Sequence, residues 1–473
     1  MGVVVDPRDG RIAELEALLV LRDGEIAELK ARVEVLVGLV EQVRREGKRQ
    51  AAPFRKAKAE GEPKRPGRKP GGGDGPHSFR KPPVREPDRV IPVVLPERCP
   101  GCGCGEVDVE RVVSQLVEDL PATAVLLTRF DIEIGRCHGC GVKVQGRHPA
   151  QASDAYGAAA AQIGPRAIAF AAYLHKVGGL SLGKTVAVLA ALGLEVTSGG
   201  LAQAFARLAA RGELTYKALI EQIGTEPAVT ADETGWRVDA VSAWLWAFVT
   251  ARVTVYMITA GRSFEDACQV LPPDFGGVLV RDGWAPYRRF HRAVHQTCAA
   301  HLLRRAHELC EKLPADRHDI PQSLIGLLQD ALTCRAARDV GAYHDDNHFA
   351  ATVAGLEVRL NDLIGRSSQD PDVARLLKHL TKEQGAVLTF LYRPGVDATN
   401  WKAETGIRPA VVNRKVWGGN RTNRGADTQQ ILMTIFRTAL QQGHDIIATF
   451  TDLLLSPTPS VAPFTGLTHH LTG

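Results

Sequence analysis

Three acidic residues carry the chemistry this sequence offers: Asp232 in Thr-Ala-Asp-Glu-Thr-Gly, Asp282 in Leu-Val-Arg-Asp-Gly-Trp, and Glu404 in Asn-Trp-Lys-Ala-Glu-Thr-Gly-Ile-Arg-Pro. Asp232 and Asp282 each follow an apolar run of strand character, and the segment around Glu404 reads as helical. Carboxylates gathered at the strand ends of one sheet are hard oxygen ligands that suit Mg²⁺ or Mn²⁺. Two such ions about 3.5 to 4 Å apart activate a water and stabilise the leaving oxygen in phosphodiester cleavage. Cutting and joining of DNA is the expected chemistry. Competing assignments stand beside it: Glu233 is a second candidate ligand, Asp282 opens an Asp-Gly pair that by itself is only a turn, and Glu383 competes with Glu404.

A second constellation is built from sulfur. Cys99-Pro-Gly-Cys102 and Cys137-His-Gly-Cys140 are Cys-X-X-Cys knuckles, each followed by glycine (Gly103 and Gly141). Such turns let backbone N–H groups approach the sulfurs and suit tetrahedral thiolate coordination of a structural Zn²⁺. Cys104, His138 and His148 are alternate donors, and a redox pair or free thiols are the other reading. Zinc here would fold a small ribbon that cannot bury enough surface alone.

Candidate DNA contacts lie in four places. Arg65, Arg68 and Lys69 fall in a Lys-Arg-Pro-Gly-Arg-Lys-Pro stretch that reads as a minor-groove hook or as a solubilising hinge. Gln203 and Arg207 are the polar readers of a possible recognition helix, whose plain alternative is a structural helical hairpin. Arg304 and Arg305 can clamp a phosphate. Just before them, Cys298 and His301 are spaced either to bind metal or to pack and hold the active-site helix. Arg414, Lys415, Arg421 and Arg424 surround Trp417, a pattern that suits unpaired DNA ends or a plain surface loop.

The elements that must position these groups can be read in order. Heptad a positions Ile12, Leu19, Ile26, Val33 and Val40, with d positions Leu15, Arg22, Leu29, Leu36 and Val43, give a seam broken only at Arg22. This favours a parallel two-stranded coiled coil over 1–46, and hence a homodimer; a single amphipathic helix docked on the body is the alternative. A basic Pro/Gly-rich linker spans 47–98 and the zinc ribbon 99–150, with two strand-like runs between its knuckles. A helix-turn-helix-like region spans 151–225, with helices at 167–176, 182–192 and 199–210, the last capped by Ser198. The first part of the catalytic domain spans 226–313. There a strand ending at Asp232, hairpin strands at 243–250 and 252–259, a helix at 263–271 and a strand ending at Asp282 follow the ribonuclease H-like order. A helical insertion at 314–394, the second catalytic part at 395–455 and a disordered tail at 456–473 complete a multidomain α+β chain.

Composition agrees with that plan. At 473 residues the chain holds several domains, and a net charge of only +5 means that nucleic-acid affinity must come from local clusters. No apolar run reaches membrane-spanning length, and the start Met-Gly-Val-Val-Val-Asp has neither the basic region of a signal peptide nor the Ser or Thr of a myristoylation site. The odd count of 9 cysteines, several in close pairs, points to a reducing compartment. A cytoplasmic, nucleoid-associated protein is expected.

From about residue 10 to about residue 455 the chain resembles transposases of the insertion sequence 66 family. The matching blocks are the leucine-rich helix, the Gly-Arg-Lys-Pro-Gly-Gly linker, the zinc ribbon, Asp-Glu-Thr at 232–234 and Asp-Gly-Trp-Ala-Pro-Tyr at 282–287. Cys-Ala-Ala-His-Leu-Leu-Arg at 298–304 and Ala-Glu with Arg-Pro at 403–409 complete them. Trp401 stands where the family often has a second Asn, and Thr405 where it often has Arg. The resemblance implies that Asp232, Asp282 and Glu404 form the metal-binding triad of a DNA transposase acting on element ends and target DNA, with accessory proteins of the element as further partners. A catalytically decayed or domesticated zinc-containing DNA-binding regulator is the alternative.

Overall fold

The computed structural model describes residues 22, 24, 26, 28–33, 86–106, 108–117, 125–152, 162–458 and 460–464. The chain divides into two compact units, Met1–Ala124 and Val125–Gly473. In the first unit the described residues between 22 and 33 are helical, with an Arg32–Glu28 ion pair of 2.9 Å one turn apart. The rest of the expected coiled coil and the hook residues Arg65, Arg68 and Lys69 lie outside the described residues. The same unit holds the first cysteine knuckle.

The second unit opens with a two-stranded hairpin, β1 (Ile134–Arg136) and β2 (Lys143–Gln145), wrapped around the second knuckle. Strands were expected between the knuckles; the described residues of 108–117 and 125–133 are irregular, and pairing is confined to the flanks of Cys137 and Cys140. Three helices follow: α1 (Pro165–Lys176), α2 (Leu182–Ala191) and α3 (Ser198–Thr225). The third corrects the sequence reading in two respects. It runs 28 residues instead of stopping near 210, and its N-cap is Thr197, whose hydroxyl accepts the Gly200 N–H at 3.0 Å. Its length follows from an apolar stripe (Leu201, Ala204, Phe205, Leu208, Leu219, Ile223) that stays buried to the end.

A mixed five-stranded sheet forms the centre: β3 (Ala228–Val238), β4 (Val241–Val249), β5 (Thr254–Thr259), β6 (Val278–Arg281) and β7 (Val294–Thr297), in the order β5-β4-β3-β6-β7. The β3/β4 and β4/β5 pairs are antiparallel; β3/β6 and β6/β7 are parallel. Strand β7, absent from the sequence reading, has only four residues, two of them His295 and Gln296. The short helix α4 (Phe264–Ala267) is less than half of the expected 263–271 segment, though Ser263 and Asp266 form a full capping box. Then come α5 (Ala299–Lys312) and the expected helical insertion, α6 (Asp319–Asp339), α7 (Asp346–Gly365), α8 (Pro371–Glu383) and the single turn α9 (Thr389–Tyr392). The chain returns to the sheet with α10 (Trp401–Trp417), α11 (Asn423–Gln441) and α12 (Ile446–Leu455).

Two faces of the sheet carry two cores. One face, with Val229, Ala231, Trp246, Phe248 and Val255, packs on α1, α3, α11 and α12. The other, with Trp236, Leu245, Ala247 and Tyr256, packs on Ala403, Ile407, Ala410 and Val411 of α10. A third cluster joins Val278 and Val280 of β6 to α5 and the insertion helices. The expected boundary at 225/226 is therefore no break in packing, because α1 and α3 share one core with the sheet. The expected tail at 456–473 also needs correction at its start: Ala462 and Phe464 are buried in that core, and the Ala462 N–H donates to the Thr215 hydroxyl at 3.0 Å.

Candidate active site

Strand register brings the first two acids together. Thr230 of β3 lies opposite Val280 of β6, and the ladder ends there on the β3 side. Two residues further along each chain from that last pair stand Asp232 and Asp282, where the two strands part. Asp232 is not at the end of its strand, as expected from sequence; β3 continues to Val238 because β4 pairs with it throughout. What ends at Thr230 is the contact with β6.

Side-chain alternation then separates Asp232 from Glu233. Asp232 shares parity with Trp236, so it lies on the face covered by α10, where Glu404 sits in the first turn. Burial first, then the charges of Glu233, Asp282 and Glu404, push the Asp232 carboxyl up to about 8. Asp282 accepts the Trp284 N–H at 2.8 Å through one oxygen, so the Asp-Gly turn is present and serves to fix the carboxylate. The Glu404 side chain is 43% exposed, and one oxygen lies 3.8 Å from His301 Nε2. Helix α10 contains Pro409, which cannot donate to the Thr405 carbonyl; the Tyr256 hydroxyl donates to the adjacent Gly406 carbonyl and secures the helix to the sheet.

Both competitors are committed elsewhere. Glu233 has no exposed side-chain surface; it accepts from Arg262 Nε at 2.7 Å and from the Tyr287 hydroxyl. The Arg262 guanidinium is itself held between Trp244 and Trp284, 4.6 and 3.9 Å from their ring centres. Glu383 is buried between Arg281 at 2.6 Å and Arg288 at 2.8 Å.

Beside the acids lies a groove of about 490 Å³, lined among others by Asp282, Trp284, His301, Arg304, Arg305 and His379. Arg304 is exposed and Arg305 half-buried; burial and the nearby Arg375 lower the ionisation range of Arg305. His379 comes from the insertion, and its ring occupies the space a Gly283 side chain would need: a Cβ there would lie 2.5 Å from His379 Cε1. Neither Trp284 nor His379 was singled out from sequence. Trp284 belongs to the Asp-Gly-Trp motif, whereas nothing in the sequence of the insertion marks His379.

The other proposed contacts divide. Gln203 and Arg207 are exposed one turn apart on the outer side of α3. Arg421 and Arg424 are exposed, as is Lys415. Arg414 is spent on the Thr234 hydroxyl at 3.2 Å and the Gly235 carbonyl, and Trp417 stacks on His175 at 4.8 Å and meets Trp236 edge-on, so neither is offered to a base or phosphate. The Gly-Gly-Asn that follows clamps the β3/β4 hairpin. Asn420 exchanges main-chain bonds with Arg237 and Asp239 and accepts the Trp236 indole N–H at 2.8 Å. Gly419, at φ +110°, has no room for a Cβ against the Arg237 carbonyl.

The two cysteine knuckles fold alike. Gly103 N–H bonds Cys99 O at 2.8 Å and Gly141 N–H bonds Cys137 O at 2.9 Å, with both glycines left-handed, at φ +78° and +70°. Main-chain N–H groups of Gly101 and Cys102 reach the Cys99 sulfur, those of Gly139 and Cys140 reach Cys137, and both thiols are lowered from their usual range by these bonds. Among the alternate donors, Cys104 and His138 are exposed, and His148 Nδ1 accepts the Ala150 N–H at 3.1 Å.

The part of the chain that carries the mixed sheet and the three acids is matched by a family model. Residues 160–428 match the model of the Transposase IS66 family, and the chain belongs to that family. It is also similar to "Uncharacterized protein y4qI" of Sinorhizobium fredii (strain NBRC 101917 / NGR234), 23% identical over 310 residues, which cover 59% of this chain and 57% of that protein. The match thus spans little more than half the length of that relative. Among the described residues no helix is long and apolar enough to cross a membrane.

Proposed function

We propose that this protein is a metal-dependent DNA transposase with a ribonuclease H-like catalytic core, cleaving at the ends of its insertion sequence and joining those ends to target DNA. The observation that carries the reading is the register that sets Asp232 beside Asp282 where the β3/β6 ladder ends, on the face of the sheet covered by the helix that carries Glu404. Asp232, Asp282 and Glu404 offer only oxygen donors, which fits Mg²⁺ or Mn²⁺. When bound, a pair of such ions supplies the activated water and the charge that stabilises the leaving oxygen. The protein's part is positional. Register aligns Asp232 with Asp282, the Trp284 N–H orients Asp282, and α10 brings Glu404 to the same face. The 3′ hydroxyl released by cleavage would then attack target DNA by the same in-line displacement, with no covalent protein intermediate.

Arg304 and Arg305, beside Asp282 in the groove, are assigned to phosphates near the scissile bond. Gln203, Arg207, Lys415, Arg421 and Arg424, and Arg65, Arg68 and Lys69 of the linker, are assigned to other DNA contacts; Arg414 is withdrawn from that set. Cys99 with Cys102 and Cys137 with Cys140 are assigned to structural Zn²⁺. A coiled-coil homodimer would hold two element ends, in the cytoplasm at the nucleoid and with accessory proteins of the element as partners. The deciding experiment is nicking of an element-end duplex with Mg²⁺. It should be lost in Asp232→Asn, and nicking unchanged in that variant would defeat the proposal.

A further inference from the structure

Cys298, His301 and Glu404 stand together next to the acid cluster, each offering one ligand atom within 4.8 Å of the others, and among the described residues no other such group of three occurs. Burial pushes the Cys298 thiol up from its ordinary range, and one main-chain donor comes from across the fold: the Asn400 N–H, at the start of the helix carrying Glu404, lies 3.4 Å from Cys298 Sγ. Such donors orient a thiolate and share its charge, which is how metal-bound sulfur is supported. The Nδ1 atom of His301 is buried without a hydrogen-bond partner, although its Nε2 faces Glu404.

We propose that Cys298, His301 and Glu404 form a Zn²⁺ site distinct from the oxygen-donor site of Asp232 and Asp282, and that filling it withholds Glu404 from them. One thiolate, one imidazole and one carboxylate match the borderline-soft preference of Zn²⁺ and leave a fourth position for water. Bond lengths of about 2.0 to 2.3 Å require the ligand atoms to close to roughly 3 to 4 Å. Glu404 can supply that movement, since its side chain is 43% exposed on a flexible stem. Mg²⁺ and Mn²⁺ favour hard oxygen ligands over thiolate, so the two ion types draw the same carboxylate in different directions. Zn²⁺ binding at Cys298 and occupancy of the Asp232 site become mutually opposed, and free zinc acts as a brake.

The test uses the full-length protein and needs no DNA. Zinc content after equilibration with Zn²⁺ should fall by one equivalent per chain in Cys298→Ser and in His301→Gln relative to wild type, whatever the knuckles retain. Substitution with Co²⁺ should show a matching loss of thiolate-to-cobalt absorption in Cys298→Ser. Because Cys298 is buried and its replacement can disturb folding, His301→Gln, at a position 37% exposed, is the deciding variant where Cys298→Ser unfolds. Zn²⁺ should weaken Mn²⁺ binding at least tenfold in wild type at concentrations that leave it unaltered in His301→Gln. Equal zinc content in His301→Gln and wild type, or Mn²⁺ binding indifferent to Zn²⁺, would overturn the proposal. Absence of nicking in every variant would bear on the transposase reading alone.

Discussion

Arg281 and Glu383 form a buried ion pair of 2.6 Å that joins the strand leading into Asp282 to the end of insertion helix α8. Arg288 completes the set at 2.8 Å from the other Glu383 oxygen. The insertion is thereby tied to the central sheet by charge as well as by the apolar cluster around α5. Removing one member of a buried pair strands the other, at about 3–5 kcal/mol. Glu383→Gln should lower the thermal midpoint by roughly 10 °C while leaving Mn²⁺ affinity per folded molecule unchanged. Glu404→Gln should do the reverse. Scanning calorimetry paired with Mn²⁺ titration separates the two glutamates, and a Glu383→Gln protein of wild-type stability would remove the structural role assigned to it.

The pH dependence of stability follows from Asp232. Its folded value, about 8, lies above the ordinary 3.8, so the folded protein retains a proton that the unfolded chain releases. That contribution is complete below the ordinary value, declines as pH rises above it, and is gone once pH passes through the folded value. Metal-free protein should therefore lose thermal stability between about pH 4 and about pH 8 more steeply than Asp232→Asn. Mg²⁺ or Mn²⁺ should restore more stability at the alkaline end, where the carboxylate is ionised and a cation replaces the proton. Thermal unfolding in chelator and in metal across that range is the measurement. Parallel curves for wild type and Asp232→Asn would contradict the raised value.

Much of this site was legible in the sequence because its signals are local. Asp232 and Asp282 follow apolar runs that make strands, and Asp-Gly-Trp makes the turn that orients Asp282. Other features depend on pairing partners far along the chain. The strand past Asp232 exists because β4 pairs with it, and β7 exists because β6 offers an edge to four residues with no pattern of their own. Arg414 reads as a DNA contact in the sequence for the same reason: Thr234 and Gly235, which bond one of its guanidinium nitrogens, lie on another element. Glu233 and Glu383 are ambiguous as sequence, and their ion pairs with Arg262, Arg281 and Arg288 could not be read there, since none of these arginines is adjacent to the acid it meets.

Gly283 and His379 offer a second probe of the join between sheet and insertion. A methyl group at 283 would fall 2.5 Å from His379 Cε1 and 2.9 Å from Nε2. Relief requires the ring or the Asp282 turn to move, at about 1–3 kcal/mol for such overpacking. Gly283→Ala should weaken Mn²⁺ binding through the displaced Asp282, and His379→Ala in the same chain should recover most of the loss. The double-mutant cycle reads the coupling directly. Additive effects would place the strain somewhere other than this contact.

The described part of the amino-terminal helix supports a prediction about assembly. Ile26, Leu29 and Val33 are 46%, 59% and 56% exposed, and they are the a, d and a positions of the heptad seam. Apolar side chains at that spacing form a narrow stripe that a second helix covers by knobs-into-holes packing. Placing a charge in the seam should therefore separate the chains: Leu29→Lys should convert a dimer to a monomer in sedimentation equilibrium. Glu28→Ala, which removes only the exposed 2.9 Å pair with Arg32, should leave the dimer intact, since such pairs contribute about 0.2–0.5 kcal/mol. A monomeric wild type would instead favour one helix docked on its own chain, and equal dimerisation of wild type and Leu29→Lys would show that another surface holds the protomers together.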